Sequence, residues 1–426
     1  METRTEKFGR VILVLFLASL VVRLLFGVLV IGIGAPPIAD AVTYDNIAMN
    51  LVRDHTYIQT TADIPYYSLR PPLLPFILAG VYSVTGHSLA ASHILMIILG
   101  SLIAPAIFAM TSRIFAKKAG LVAGWIAVFY PFFILYSNVL LTEVLCIIFV
   151  SLMVLLLMRF VQQRKTADIC LAGVAAGLGC LARPPLLLLL PVTLLWLLIV
   201  MRKELGPALK ACVLFLLLAA VAISPWTYRN YRVHGELVPI TSLGGLTLWY
   251  GNSELSTGNL GDDYLRMTEQ MPDPGTTAET EINRYFRKIA VDYMKSNPRR
   301  TVVLGVTKCA HFWRPSGFRI PGMIEETPGW LRFVLGFFTY MPILILFLYE
   351  LLVRLRNRTL FLDSGPLLIL LYVAAFTLMH CVFPSLPRYR MPIMPLVIAM
   401  ASSGVVRLWD RVKGGSQRAS RTAVNA

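Results

Sequence analysis

Long apolar runs separated by short polar ones dominate the chain. Segments at about 11–34, 90–112, 118–136, 140–160, 169–182, 184–201, 209–226, 328–353, 364–384 and 390–408 predict about ten transmembrane helices, because roughly 20 apolar residues cross a bilayer. Residues 71–86 are apolar but too short to cross, which predicts a helix packed at the interface. Between the first span and that helix lies PPIADAVTYDNIAMNLVRDHTYIQTTADIPYYSLRPPLLP, from Pro36 to Pro75. Here Tyr44, Ile47, Ala48 and Leu51 recur at i, i+3, i+4 and i+7. That spacing predicts a short amphipathic helix over 41–52 lying on the membrane surface, with Asp45 and Asn46 on its solvent side. The longest polar stretch, 227–327, has a turn-rich middle, GNLGDDYLRMTEQMPDPGTTAETE. After it, Ile282, Tyr285, Phe286, Ile289 and Tyr293 keep helical spacing, predicting a peripheral helix that Pro298 ends.

Composition turns these segments into a class. The chain is 57% hydrophobic and 15% charged, which sets aside a soluble globular protein and predicts an all-α integral membrane protein. A formal net charge of +16 would suggest a nucleic-acid partner in a soluble chain. Here the basic residues gather between spans, so they report orientation and imply no nucleic acid. Arg4, Lys7 and Arg10 precede the first span. Arg113, Lys117 and Lys118, then Arg159, Arg164 and Lys165, then Arg202, Lys203 and Lys210, then Arg354, Arg356 and Arg358 fall on the same side, as does the tail with Arg407, Arg411, Lys413, Arg418 and Arg421.

Both termini are therefore expected in the cytoplasm, and the Asp40 loop outside. The parity closes only if 71–86 does not cross. The first span is too long for a cleaved signal and reads as retained. The chain thus divides into a module over 1–226 with its first external loop at 35–88, an external segment over 227–327, C-terminal spans over 328–408 and a basic tail over 409–426. Its six cysteines lie mostly in apolar segments without metal-type spacing and read as small hydrophobes rather than a disulfide framework. No HExxH, Cys/His cluster, nucleotide glycine motif or fixed-period repeat occurs, so no metal site and no cofactor is assigned.

With this topology, the ionisable residues at external span ends are Asp40, Arg70, Glu143, Arg183, Arg229 with Arg232, and Arg388 with Arg390. Charges at or just inside a bilayer are costly and usually face a cavity. Several arginines converging with two carboxylates suit an anion held beside an acid–base group: Asp40 as general base, Arg70 as phosphate clamp. Each residue also has a plainer reading. Asp40 could be the N-cap of the amphipathic helix. Glu143 could cap its helix or pair with an arginine, Arg183 could snorkel to the interface, and Arg388 and Arg390 could hold lipid head groups. His380, near the same face, reads as a hydrogen-bonded packing residue.

These landmarks resemble the GT-C membrane glycosyltransferases that use polyprenyl-phosphate sugars, a group that includes protein O-mannosyltransferases, the lipid A aminoarabinose transferase and bacterial relatives that glycosylate lipopolysaccharide. ADAVTYDNIAMNL is similar to the first-loop motif, an Asp followed four residues later by a Tyr, and implies Asp40 as catalytic base with Tyr44 beside the substrate. SLRPPLLPF resembles the basic-Pro-Pro motif and implies Arg70 as a donor-phosphate contact. LLTEV places Glu143 at the second acidic landmark, and LARPP puts Arg183 where relatives have a basic residue. PWTYRNYRVHGELVPITSLGGLTLWYGN, with Arg229, and HCVFPSLPRYRMPIMP, with Arg388 and Arg390, resemble segments of the bacterial branch.

Two departures stand out: Leu69 replaces the Glu that helps the aminoarabinose transferase bind zinc, and the chain ends soon after its last span. The resemblance implies an inverting transferase in a bacterial-type cytoplasmic (inner) membrane. It would take a polyprenyl-phosphate-linked sugar and pass the sugar to a lipid, glycan or protein hydroxyl on the outer face. A transporter or flippase for a lipid-linked sugar is the alternative and would show internal symmetry. A lipid-binding scaffold is a third reading.

Overall fold

A computed structural model describes residues 4–61, 64–315 and 329–424. The chain is helical almost throughout. Helix α1 (Arg4–Phe26) continues through one wider turn, Gly27–Ile31. The loop after the first span holds α2 (Asp40–Arg53), a two-stranded hairpin of β1 (Gln59–Thr61) and β2 (Ile64–Tyr66) with Gln59 opposite Tyr66, and α3 (Leu73–Thr85). The bundle continues with α4 (Leu89–Ser101), α5 (Ile103–Ile114), α6 (Lys117–Phe129), the short α7 (Pro131–Tyr136), α8 (Glu143–Gln163), α9 (Thr166–Ala182), α10 (Leu189–Val200) and α11 (Leu205–His234). The polar segment 227–327 carries α12 (Gly244–Gly251), α13 (Leu260–Glu269), α14 (Glu279–Ser296) and α15 (Pro298–Trp313). Then α16 (Gly329–Arg356), α17 (Ser364–Val382) and α18 (Met394–Val424) complete the bundle.

Among the described residues seven helices are long and apolar enough to cross a membrane, which makes this a multi-pass membrane protein. The other three predicted spans are helices too, but shorter. The 17 residues of α9 rise only about 26 Å, less than the roughly 30 Å of a hydrocarbon core. Helix α10 extends backwards through a tight turn at Pro184–Leu188, and α6 breaks before Pro131. That break frees carbonyls at the end of α6. Arg23, wholly buried in α1, covers them by donating to the carbonyls of Ala127 and Val128 and to Ser137 Oγ. On α9, Gly173 and Gly177 let α11 approach backbone to backbone: a Cβ at these positions would lie 2.5 Å from Phe215 O and 2.7 Å from Ala219 O. This contact fixes the end of α9, where Arg183 stands.

The amphipathic helix is present as α2, with Tyr44, Ile47 and Ala48 buried and Leu51 half-buried. Two expectations on it fail. Asp45 is buried rather than on the solvent side, because Tyr82 donates to it and His87 Nε2 lies 3.0 Å from its Oδ1, both residues from α3 and its end. Asp40 is not the N-cap: Ala39 occupies that position and makes no side-chain cap bond. Ala39 has φ +50°, a conformation that costs a residue with a Cβ roughly 1–3 kcal/mol and that sets Asp40 as the first helical residue.

In the polar segment 227–327, α13 forms within the turn-rich stretch. Pro298 does more than end α14, because it also starts α15 from its first position, where its missing N–H costs nothing. The last part of this segment, 316–327, and residue 328, where the next span is expected to begin, lie outside the described residues. Trp249, Met267, Ile282, Phe286 and Ala290 give the segment a small core of its own. Two buried side chains, Glu279 and Lys308, and the half-buried Arg229 fasten it to the bundle. Glu279 accepts from the backbone N–H of Tyr67 (2.7 Å) and Ser68 (3.1 Å) and from Ser242 Oγ. Arg229 donates to the carbonyls of Tyr67 (2.6 Å) and Tyr57 (3.1 Å). Lys308 donates to the carbonyls of Gly251 and Val382. Glu279 and Arg229 bracket the loop that delivers Arg70.

Candidate active site

Four stretches far apart in sequence meet at one end of the bundle. Asp40 begins α2, and Arg70 ends the loop before Pro71-Pro72. Glu143 begins α8, opposite Arg183, which follows α9. Arg388 stands in the tight turn Pro387–Ile393 that leads into α18. The Asp40 carboxylate is held on both sides: Arg70 Nη2 donates to Oδ1 at 2.8 Å, and Arg388 Nη2 donates to Oδ2. Arg183 Nη1 donates to Glu143 Oε1 at 3.0 Å. Tyr389 ties the two pairs together, with the Arg183 guanidinium 5.1 Å and that of Arg388 5.5 Å from its ring centre. Tyr44, one turn after Asp40, lies 5.6 Å under the Arg70 guanidinium. Arg388 also feels Glu143, and buried Tyr136 lies within electrostatic reach of Glu143, Arg388 and Arg183.

Three guanidinium groups thus face two carboxylates. Burial pushes the Asp40 carboxyl up, but Arg388 and Arg70 outweigh it and hold the group well below the usual carboxylate range. Burial, with Asp40 and Glu143 nearby, pushes the Tyr44 hydroxyl up to about 12 against the opposing pull of Arg70. Hydrogen-bonding capacity is left over. The Nε atoms of Arg70 and Arg388 and Oε2 of Glu143 are buried without a partner. Such a cluster can accept an anion with several oxygens, and it carries a carboxylate within reach of that anion.

Two predicted site residues stand elsewhere. Arg390, two residues beyond Arg388, is wholly buried; it donates to the carbonyls of Phe312 (2.9 Å) and Arg314 (2.8 Å) and lies 3.8 Å over the Tyr340 ring. Arg229 serves the loop at Tyr57 and Tyr67 and packs over Tyr57 and Trp226. Conversely, Tyr389 was not singled out in the sequence; its only signal was its place between two arginines in PRYRM. His380 stacks between Phe312 and Tyr389, with Nδ1 3.1 Å from Pro384 O.

An apolar groove of about 640 Å³ lies beside the cluster, lined by Tyr57, Leu73, Phe76, Leu181 and Trp226 among others. A larger cavity of about 930 Å³ lies at the opposite end of the bundle. Its charges answer one another, Arg354 and Arg407 both pairing with Glu350 and Arg354 also with Asp363, so it reads as a structural network. Among the described residues no three His, Cys, Asp or Glu side chains are grouped to hold a metal ion, and each site carboxylate already faces a guanidinium. The donor set does not fit a metal centre.

Residues 69–228 match the family model for dolichyl-phosphate-mannose-protein mannosyltransferase. No curated protein sequence matches the chain. Among solved structures, the archaeal oligosaccharyltransferase AglB from Archaeoglobus fulgidus, in complex with an inhibitory peptide and a dolichol-phosphate, superposes with a TM-score of 0.62 at 13% identity over 99% of this chain and 52% of that one. The apo form of the A. fulgidus oligosaccharyltransferase gives 0.60 at 14% identity, over 99% and 53%. ArnT from Cupriavidus metallidurans bound to undecaprenyl phosphate gives 0.42 at 13% identity, over 94% and 77%, a likeness too loose to build on. The chain spans about half the length of the oligosaccharyltransferases it matches, and what the likeness establishes is the fold alone.

Proposed function

We propose that this chain is an inverting glycosyltransferase that moves a sugar from a polyprenyl-phosphate donor to an acceptor hydroxyl. The observation that carries this reading is the cluster itself, a carboxylate gripped by guanidinium groups from distant parts of the chain, with positive charge in excess. Planar, forked guanidinium groups suit a phosphate, and a fixed carboxylate beside it suits proton transfer. The neighbouring groove gives the isoprenoid tail an apolar path: Leu73 is three residues from Arg70, and Leu181 two from Arg183. The family model over 69–228 and the dolichol-phosphate bound to AglB favour a lipid-linked donor here as well.

In the reaction, the acceptor oxygen attacks the anomeric carbon from the side opposite the phosphate, and single displacement inverts that centre. Its proton passes to Asp40, and the bond from carbon to phosphate oxygen breaks with the electron pair left on the phosphate. Arg70, Arg388 and Arg183 stabilise the growing charge. Glu143 aims Arg183, and Tyr44 supports Arg70 from below. Arg113, Lys117, Arg159, Arg164, Lys203, Arg356 and Arg358 lie towards the end of the bundle opposite Asp40, which supports cytoplasmic termini and a site facing outward from a bacterial-type cytoplasmic membrane.

The test is to incubate purified protein with labelled polyprenyl-phosphate sugars and hydroxyl acceptors. Release of polyprenyl phosphate together with an inverted product is the expected result. Movement of intact donor across vesicles without release would replace the transferase with a carrier.

A further inference from the structure

The Asp40 carboxylate is poorly placed to accept a proton as it stands, because both its oxygens are occupied. Oδ1 takes a hydrogen bond from Arg70 at 2.8 Å and Oδ2 one from Arg388. Two charge-assisted bonds stabilise the ionised form and weaken it as a base. Without the two guanidinium groups, the surroundings would act the other way. Burial raises the carboxyl's proton affinity, and Glu143 and Tyr44 stand nearby with Arg183 as the remaining cation. The state of Asp40 is therefore set by where Arg70 and Arg388 direct their N–H groups.

Those N–H groups are not exhausted by Asp40. The Nε–H of each arginine is buried and unpartnered, so each fork can take a second anion. Taking the site as that of a lipid-phosphate sugar transferase, the donor phosphodiester brings one negative charge and the leaving phosphate monoester brings about two. Charge on the phosphate thus grows during the same displacement in which the acceptor must lose its proton.

We infer that Arg70 and Arg388 couple the two halves of the reaction, turning from Asp40 to the leaving phosphate as its charge grows and so freeing the carboxylate to take the acceptor proton. The inference rests on the reading proposed above. It adds that Asp40 and the phosphate are alternative counter-ions for the same two guanidinium groups. The bookkeeping closes: the acceptor O–H proton ends on Asp40, the electron pair of the broken C–O bond ends on the phosphate, and the guanidinium groups move without gaining or losing a proton.

The test uses the full-length protein in detergent with undecaprenyl phosphate as the probe, and N,N′-dicyclohexylcarbodiimide, which modifies protonated carboxyl groups. Binding of the lipid is followed separately by native mass spectrometry, and labelling of Asp40 by peptide mapping at about pH 6, where an ordinary carboxyl is almost wholly ionised. Asp40 should label slowly in the free protein and about tenfold or more faster with lipid bound, since each unit of rise in proton affinity multiplies the protonated fraction about tenfold. Inorganic phosphate should leave labelling unchanged; an equal rise with it would overturn the assignment to a lipid-linked phosphate.

Lipid binding without faster labelling would overturn the coupling while leaving the transferase reading intact. Failure of the lipid to bind would remove that reading and the coupling with it. Arg388→Lys keeps the charge but loses the fork, and should raise labelling of the free protein. No rise there would also count against the inference.

Discussion

Replacing Asp40 by Asn separates catalysis from support. The amide keeps the shape and one acceptor oxygen, but it turns an N–H towards one of the two guanidinium groups and removes the negative charge. Hydrogen bonds to charged groups contribute about 1.5–3 kcal/mol each. Asp40 is 28% exposed, and its partners 21% and 30%, so solvent screening lowers the loss to about 1 kcal/mol. The fold should survive. Turnover should fall about 10²–10⁴-fold, the usual contribution of a positioned base. Affinity for undecaprenyl phosphate should rise, because the phosphate no longer competes with a carboxylate; about 1 kcal/mol corresponds to roughly fivefold.

The assays are initial rates of polyprenyl-phosphate release and lipid binding to the two proteins side by side. A carboxylate that merely braced the fold would predict weaker binding and lower stability together. Turnover within about tenfold of the wild type would remove Asp40 as the base. The pH dependence has a definite sign as well. Folding lowers the proton affinity of Asp40, so the unfolded chain takes up its proton first as the pH falls. The stability gap between wild type and Asp40→Asn should be flat above about pH 5 and close only below the ordinary carboxylate range, as the pH falls through the folded value.

Two further substitutions address the parts around this centre. Glu143→Gln leaves the Arg183 guanidinium at the site without a counter-charge; the pair is nearly buried, so thermal or denaturant unfolding should show a loss of about 3 kcal/mol, with turnover falling as well. Gly177→Val places a branched side chain where a Cβ would already lie 2.7 Å from the Ala219 carbonyl, so α9 must part from α11; a loss of at least 1–3 kcal/mol, read from detergent-melting curves, is expected together with a misplaced Arg183.

Much of this arrangement was legible in the residues, for identifiable reasons. The apolar periods placed the helices, because in lipid only internally hydrogen-bonded segments can cross. The alternation of basic loops put Asp40, Arg70, Glu143, Arg183 and Arg388 towards one end. Which of the two arginines in PRYRM turns to Asp40 was not legible. In the tight turn Pro387–Ile393, residues two apart point in different directions, and Arg390 is drawn to the carbonyls at the end of α15, an element hidden by reading Pro298 only as a stop. Asp45 was misread for a related reason: it lies off the apolar face of α2, but Tyr82 and His87 close over it. Glu279 gave no signal, since a carboxylate in the first turn of a helix is ordinary. Only the fold reveals that it accepts from the backbone of the loop bearing Arg70.

The cluster also bears on how the chain closes. Asp40 and Arg388 are 348 residues apart in sequence, and the loop bearing Arg70 is clamped by residues 162 and 211 or more positions away, Arg229 and Glu279. The Asp40–Arg388 bond cannot form while the turn leading into α18 is undocked, nor the Glu279 clamp while α14 is undocked. Until then Asp40 lacks one of its two guanidinium partners, and Arg388 has no carboxylate opposite it. Placing charge at this end of the bundle costs free energy unless each group is paired. The pairing therefore favours the one arrangement that brings the start and the end of the chain together, and the same requirement makes the assembly of the site cooperative.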